Sequence, residues 1–185
     1  MMINLDHAVL LPIDMQRAFD SPPWPRRWND RVDANGLALL DLWRRSGRQI
    51  IHVRHDSVID GSSLAPGAEG NHFRPGFEPR HDEPIVSKSV NSAFIGTDLD
   101  LRLRRLGARQ VVAFGISTDM CVSTTVRTGA NMGWDMVLVA DACDCFDLPD
   151  GKGGSLSAET VQAAHVATLG FEFCKVVSTE ELIQT

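Results

Sequence analysis

Short β-rich runs alternate along the chain with longer segments of helical periodicity, and this alternation constrains the fold more than any other feature. Residues 8–14 (AVLLPID) form an apolar run typical of a buried strand. The next segment places four apolar residues at helical spacing: Val32, Leu39, Leu40 and Trp43. Because strands that alternate with helices pair in parallel through crossover connections, the pattern predicts an α/β fold.

Further strand-like runs complete a predicted sheet. They lie at residues 48–55, 83–89, 110–116, 135–141 and 171–177. The intervening helical patterns end at glycines, the last of them at Gly170. We therefore expect a three-layer α/β/α sandwich with a six-stranded parallel sheet in the Rossmann-like order 3-2-1-4-5-6. A chain of 185 residues fits one domain spanning residues 1–185.

Charge and cysteine usage narrow the class of protein. The net charge of −6 argues against nucleic acid or an anionic membrane as partner, since both repel an acidic surface. No segment approaches the ~20 apolar residues of a membrane helix, and no basic region precedes the short apolar run near the N-terminus. The four cysteines contain no CxxC pair and are expected to be reduced thiols. These features favour a cytoplasmic protein.

Three reactive side chains are expected at one edge of the sheet. Asp14 ends the first strand, Lys88 ends the third, and Cys121 follows the fourth. Ligands bind beyond the carboxyl ends of the strands in doubly wound sheets, so these groups are predicted to share a cleft. A thiol of pKa ~8.5 becomes nucleophilic when a base takes its proton and a cation stabilises the thiolate. The trio thus indicates acyl transfer, whereas simple burial is the alternative for a lone cysteine.

The motifs that carry these residues also resemble a known family. They are LLPIDMQRAF (10–19), SKSVNSAFIGTDLDLRLRRLG (87–107), GISTDMCVSTTVRTGANMGWDMVLVADAC (115–143) and HVATLGFEF (165–173). Together they resemble the isochorismatase-like cysteine hydrolases, which include nicotinamidases, N-carbamoylsarcosine amidohydrolases, ureidoacrylate hydrolases and isochorismatases. The resemblance spans nearly the whole chain and is weakest at residues 57–82.

The resemblance implies a role for each residue of the trio. Cys121 would be the nucleophile, Asp14 the general base and later the acid, and Lys88 the group that lowers the pKa of the thiol. It also implies a cis peptide bond between Ile116 and Ser117. The backbone amides of Ser117 and Cys121 would then receive the oxyanion of the reacting carbonyl.

The implied reaction is the cleavage of a C–N bond in a small amide, ureide or carbamoyl compound through a thioester, with a small molecule as the binding partner. Two alternatives stay open: hydrolysis of a vinyl ether as in isochorismatases, where the acid matters and the cysteine does not, and a non-catalytic member that binds a small molecule. Members of the family are commonly dimers or tetramers, so a homo-oligomer is expected.

The histidines after the second predicted strand raise the alternative of a metal site. Nicotinamidases of the superfamily bind a divalent metal through an Asp-x-His pair and a later histidine, but residues 52–56 here read HVRHD. The Asp-x-His order is absent, which argues against nicotinamide as substrate. A site built from His55, Asp56 and His72 stays an alternative. We expect no metal and no other cofactor.

Aromatic residues near the predicted cleft are candidates for a substrate pocket, which is typically apolar with a few polar anchors. Phe19 and Trp24 follow the first strand, and Phe94 follows Lys88. The alternative is that such aromatic residues pack a loop or a subunit interface. Cys143, Cys145 and Cys174 are expected to serve interior packing.

Overall fold

The computed structural model describes residues 5–184. The strands, in chain order, are β1 (Ala8–Ile13), β2 (His52–His55), β3 (Ile85–Lys88), β4 (Gln110–Gly115), β5 (Asp135–Val139), β6 (Leu148–Pro149), β7 (Ser155–Leu156) and β8 (Lys175–Val177). Six of them form a parallel sheet in the order β3-β2-β1-β4-β5-β8, while β6 and β7 pair in a separate antiparallel hairpin. Since β8 is the sixth strand of the main sheet along the chain, the predicted order 3-2-1-4-5-6 is confirmed.

Within residues 5–184, five α-helices flank the sheet. They are α1 (Val32–Arg45), α2 (Leu99–Arg105), α3 (Ser123–Asn131), α4 (Ala158–Glu172) and α5 (Thr179–Ile183). Helix α1 contacts α5, and helix α3 contacts α4. This is the α/β architecture that the alternation of strands and helices predicts.

The strands at the centre of the sheet are covered on both faces. Every residue of β1 is buried, as is nearly all of β4, which explains why these runs are continuously apolar instead of alternating. Helix α1 is fixed to β1 by Trp43, whose fully buried indole N–H donates to the carbonyl oxygen of Ala8 at 3.2 Å. The packing leaves the strand ends as the place where polar side chains collect.

The sheet register brings four strand ends together. Ile13 at the end of β1 pairs with Val53 in β2 and with Gly115 at the end of β4. His55 at the end of β2 pairs with Lys88 at the end of β3. Side chains at or just beyond these positions therefore lie next to one another.

The last helix and strand differ from the prediction. Helix α4 runs past Gly170 to Glu172, and β8 begins only at Lys175. Phe171 consequently lies on the helix and is 90% exposed, instead of packing inside the sheet. A Cβ on Gly170 would lie 2.9 Å from Cγ2 of Val176, so this glycine allows close packing of α4 on β8 and does not end the helix.

The long segment between β2 and β3 is anchored to the rest of the fold. Arg74, which is buried, donates to Asp33 in α1 and to Asp20 beyond β1, both at 2.6 Å. These ion pairs hold the segment against the edge where the strand ends meet.

In the described part of the chain, no helix combines the length and apolar character needed to cross a membrane.

Candidate active site

Asp14, Lys88 and Cys121 meet at the carboxyl edge of the sheet. Lys88 Nζ lies 2.6 Å from Asp14 Oδ2 and 3.3 Å from Cys121 Sγ. The side chains of Asp14 and Lys88 are fully buried, and Cys121 is 9% exposed. Asp14 Oδ1 is buried and has no hydrogen-bond partner among residues 5–184. The cluster therefore combines an ammonium, a thiol and a carboxylate with one unpaired oxygen.

The turn after β1 places the carboxylate. Asp14 has a φ of 52°, in the left-handed region that residues other than glycine rarely adopt. Its backbone N–H donates to the carbonyl oxygen of Val53 at 3.0 Å, which ties the turn to β2. A residue held in an uncommon conformation at a strand end is a feature of functional sites.

The turn after β4 places the thiol. The peptide bond between Ile116 and Ser117 is cis, as the resemblance implies. Cys121 then lies in a π-helical turn, Thr118–Val122, that leads directly into α3. Gly115, with a φ of 141°, lies so close to β1 that a Cβ there would overlap the carbonyl oxygen of Ile13. This position therefore requires glycine.

The charges of the cluster oppose one another at the thiol. Burial and the carboxylate of Asp14 raise the pKa of Cys121, and Lys88 only partly offsets them. Burial also disfavours the ammonium of Lys88, but the nearby Asp14 keeps its pKa above the ordinary value. Lys88 acts to lower the pKa of the thiol, the direction that the resemblance implies, but burial and the carboxylate of Asp14 outweigh it and the net shift is upward. The resting site thus contains a neutral thiol beside an ion pair.

A cavity of about 170 Å³ opens beside Cys121. Its apolar walls include Phe19, Trp24 and Met120, and the segment after β2 adds Ile59. The rings of Phe19 and Trp24 meet edge to face, with centroids 4.8 Å apart. Both of these aromatic residues therefore border the cavity, as predicted from their positions after β1.

The prediction that Phe94 lines this cavity differs from the structure. Phe94 is buried, and its ring would lie 3.0 Å from a Cβ placed on Gly129, so it packs against α3. A second cavity of about 430 Å³ is bounded by residues 19–30 and shares Phe19 and Trp24 with the first. It does not reach Cys121, so the smaller cavity is the candidate substrate site.

The structure does not assemble the metal site considered from the sequence. His72 is exposed, and Asp56 is paired with Arg54 at 2.8 Å. Within residues 5–184, the metal-ligand types that do cluster are Asp14, His55 and Cys121. Lys88 Nζ already lies within hydrogen-bond distance of all three, so a divalent cation would have to displace an ammonium. These residues do not fit a metal.

The sequence does not predict two buried amide side chains near the site or the contact of His55 with Lys88. Gln16 exchanges two hydrogen bonds with the backbone of His55, at 2.9 and 3.1 Å. Asn71 donates to the same His55 carbonyl oxygen at 3.0 Å and to Leu64 at 2.9 Å. The only available signal was that Gln16 follows Asp14 within one motif, because the partners lie 39 and 16 residues apart in sequence.

The remaining cysteines lie apart from this cluster. Cys143 donates to the carbonyl oxygen of Val139 at 3.3 Å, and Cys145 to Gln162 Oε1 at 3.2 Å. Burial raises the pKa of Cys145 to about 12. Both are fully buried thiols with local partners, in agreement with a packing role.

Comparison with known proteins gives the family. The model of the isochorismatase domain matches residues 8–181. The isochorismatase family protein YrdC of Bacillus subtilis (strain 168) is 36% identical over 178 residues, which cover 96% of this chain and 95% of that protein. The sequence likeness thus extends over almost the entire length of both chains.

Solved structures agree with this assignment. An isochorismatase-family structure from Chromobacterium violaceum ATCC 12472 superposes with a TM-score of 0.95 at 39% identity and covers 100% of this chain and 95% of its own. A cysteine hydrolase from Pseudomonas syringae pv. phaseolicola 1448A gives a TM-score of 0.90 at 27% identity, covering 100% and 94%. The family model covers residues 8–181, and relatives match the sequence and the fold over nearly the full chain. This chain therefore belongs to the isochorismatase family of hydrolases.

Proposed function

We propose that this protein hydrolyses a C–N bond of a small amide, ureide or carbamoyl compound through a thioester on Cys121. The observation that carries the proposal is the position of Lys88 Nζ, which joins Asp14 Oδ2 to Cys121 Sγ in one buried cluster beside a cavity. Such a cluster contains a nucleophile, a base and a cation, which are the groups that acyl transfer needs.

The first half-reaction starts from the neutral thiol. Asp14 takes the proton of Cys121 as Sγ attacks the carbonyl carbon, and the carbonyl oxygen becomes an oxyanion. The backbone amides of Ser117 and Cys121, two residues that border the cavity, stabilise this oxyanion. Asp14 then passes the proton to the departing nitrogen, the C–N bond breaks, and an acyl thioester remains on Cys121.

The second half-reaction returns the enzyme to its starting state. Asp14 takes a proton from a water molecule, whose oxygen attacks the thioester carbonyl. The C–S bond breaks, the acid product leaves, and the proton returns from Asp14 to Sγ. Throughout, Lys88 compensates the negative charge that moves between Asp14 and Cys121, which is the role its position between them suits.

Two relatives with amide-cleaving names support the substrate class. Nicotinamidase 3 of Arabidopsis thaliana is 26% identical over 97% of this chain and 88% of its own length. The ureidoacrylate amidohydrolase RutB of Acinetobacter baylyi is 29% identical over 62% of this chain and 46% of its own length. They indicate that this fold accommodates C–N bond cleavage.

The test measures ammonia or amine release from a panel of small amides and ureides. The parent is compared with Cys121→Ser, and Cys174→Ser serves as the matched control because this partly buried cysteine lies outside the site. We expect release by the parent and the control and a loss of roughly 1000-fold or more in Cys121→Ser. Acyl-enzyme trapped on Cys121 and detected by mass spectrometry would add direct support.

Two outcomes would contradict the proposal. Equal turnover by the parent and Cys121→Ser would remove the thiol from the mechanism and favour acid-dependent vinyl ether hydrolysis. No release from any amide or ureide by a folded parent would favour a protein that binds a small molecule without converting it.

A further inference from the structure

The hydrogen bonds of Lys88 fix the protonation state of His55. Lys88 Nζ lies 3.0 Å from His55 Nδ1, in addition to its contacts with Asp14 and Cys121. An ammonium has three hydrogens and no lone pair, so all three neighbours accept from it. His55 Nδ1 therefore carries no hydrogen, and the neutral imidazole must carry its hydrogen on Nε2.

The other ring nitrogen is available to a ligand. His55 borders the cavity beside Cys121, and Nε2 has no hydrogen-bond partner within residues 5–184. Burial, followed by the charge of Lys88, lowers the pKa of His55, which keeps the ring neutral. Nε2–H is thus a fixed donor on a residue that borders the space that a substrate would fill.

The backbone of His55 is held more firmly than packing alone requires. Gln16, which is fully buried, both accepts from the His55 N–H and donates to its carbonyl oxygen. Asn71 donates to the same oxygen, and its own backbone carbonyl accepts from Gln16 at 2.9 Å. Two buried amide side chains thus hold the backbone of His55, and the contact of Nδ1 with Lys88 holds its ring, as a binding group requires.

The cavity offers hydrogen bonds but no charge. In the described part of the chain, no Asp, Glu, Lys or Arg side chain lines it. Ser117 Oγ and Trp24 Nε1, from two of its lining residues, are buried without a partner among residues 5–184, and both are neutral groups. Lys88, which contacts the lining residues His55 and Cys121, is paired with the carboxylate of Asp14. A charged substituent on the substrate would lose its hydration without gaining a counter-ion.

We propose that the site takes an uncharged small amide or ureide and that His55 Nε2–H donates a hydrogen bond to an acceptor atom of that substrate. This inference deepens the proposed function and rests on it for the identity of the substrate as a C–N compound. His55 is a substrate-binding residue in this account, and Gln16 and Asn71 are positioning residues that act through it.

A ligand series tests the absence of charge without turnover. Butanamide, succinamate and 4-aminobutanamide share a chain length but are neutral, anionic and cationic. Their binding to the full-length Cys121→Ser variant is measured by ligand-observed NMR titration. We expect butanamide to bind roughly 10-fold or more tightly than either charged compound. Equal or tighter binding of a charged compound would overturn the inference, even where the parent hydrolyses amides.

Two variants of His55 test the donor. In His55→Gln, the amide oxygen can accept from Lys88 while the NH2 group donates to the substrate, as the neutral imidazole does; His55→Phe keeps a ring and removes both functions. For the best neutral substrate, we expect kcat/KM to fall roughly 3- to 10-fold in His55→Phe, mainly through KM, and to stay within about 2-fold in His55→Gln.

The controls separate binding from folding and from the proposed reaction. His72→Phe changes an exposed histidine outside the cavity and should leave kcat/KM unchanged. A His55→Phe enzyme with the kcat/KM of the parent, or a His55→Gln enzyme as poor as His55→Phe, would refute the donor role. If the parent releases no amine from any substrate, the proposed function fails, and the ligand series still decides whether the cavity selects neutral compounds.

Discussion

Lys88 Nζ lies 2.6 Å from Asp14 Oδ2, and neither side chain is exposed to solvent. Because the two opposite charges lie side by side, their fields largely cancel at the neighbouring thiol. Burial is then the largest influence on the thiol and raises the pKa of Cys121 although an ammonium lies 3.3 Å from its sulfur. Reactivity of the thiol is therefore controlled by the balance of the pair, and removing either partner should shift it in a predictable direction.

Asp14→Asn should make the resting thiol more reactive while stopping catalysis. Asp14 raises the pKa of Cys121, so the neutral amide leaves the charge of Lys88 uncompensated and the pKa of the thiol falls. The thiolate fraction at neutral pH rises roughly 10-fold for each unit by which the pKa falls, and a less basic thiolate is somewhat less nucleophilic. We therefore expect alkylation of Cys121 by iodoacetamide to become roughly 3-fold faster or more per unit, whereas amide turnover is lost with the base. Mass spectrometry of the labelled peptide over a pH series gives the rate.

Lys88→Met is the opposite control for the same measurement. It removes the only cation of the cluster and leaves the carboxylate of Asp14 next to the sulfur, so labelling of Cys121 should be slower than in the parent. Identical labelling rates in the parent and in Asp14→Asn would show that the carboxylate does not control the thiol.

The same pair should govern stability. Removing one partner of a buried ion pair leaves an uncompensated charge, so Lys88→Met should lower the free energy of unfolding by about 3–5 kcal/mol. The double variant Asp14→Leu with Lys88→Met leaves no charge behind and should recover most of this loss. Urea unfolding of the two variants and the parent gives the values; a double variant no more stable than Lys88→Met would contradict the argument.

Glu83 should control stability in acid. Its side chain is 7% exposed and accepts from Arg44 Nε at 2.7 Å and from His52 Nε2 at 2.9 Å. Burial favours the protonated acid, but the bonds from Arg44 and Arg80 and from His52 outweigh it and lower the pKa from 4.5 to about 2. A carboxylate with a depressed pKa in the folded state stabilises the protein above its unfolded pKa, and this contribution is lost as pH falls towards about 2.

Glu83→Gln should remove this dependence. We expect a loss of up to about 3 kcal/mol at neutral pH and a flatter unfolding free energy between the two pKa values. Glu172→Gln, at the exposed end of α4, is the matched control and should keep the profile of the parent. Parallel acid-unfolding profiles for the parent and Glu83→Gln would show that other groups determine the acid response.

The sequence predicts the centre of the sheet and the reactive cluster well, for physical reasons. Strands β1 and β4 are buried on both faces and so read as unbroken apolar runs, and Asp14 and Lys88 stand at or just beyond strand ends that a parallel sheet must bring together. The end of α4 was mispredicted because Phe171 and Phe173 alternate as they would in a strand, although Gly170 is a packing glycine here.

The role of His55 was not predictable in the same way. Its tautomer and ring contact depend on Lys88, and its backbone is held by Gln16 and Asn71, none of which is near it in sequence. The direction of the pKa shift at Cys121 likewise depends on the balance between burial and two opposite charges. The balance between such opposing influences on a pKa depends on interatomic distances, and the spacing of residues in the sequence does not give these distances.

Gly115→Ala should disrupt the fold next to the cluster of Asp14, Lys88 and Cys121. The Cβ would overlap the carbonyl oxygen of Ile13, and the φ of 141° is unfavourable for alanine. We expect a fall of about 3 kcal/mol or more in the free energy of unfolding, measured in urea, together with a loss of amide turnover.

Gly133→Ala is the matched control, because its φ of 87° is also positive but no atom lies within 4 Å of the added Cβ. It should cost about 1–2 kcal/mol and leave turnover intact. If the two variants lose equal stability, the backbone conformation alone accounts for the glycine. A larger loss in Gly115→Ala shows that the close approach of β4 to β1 requires it as well.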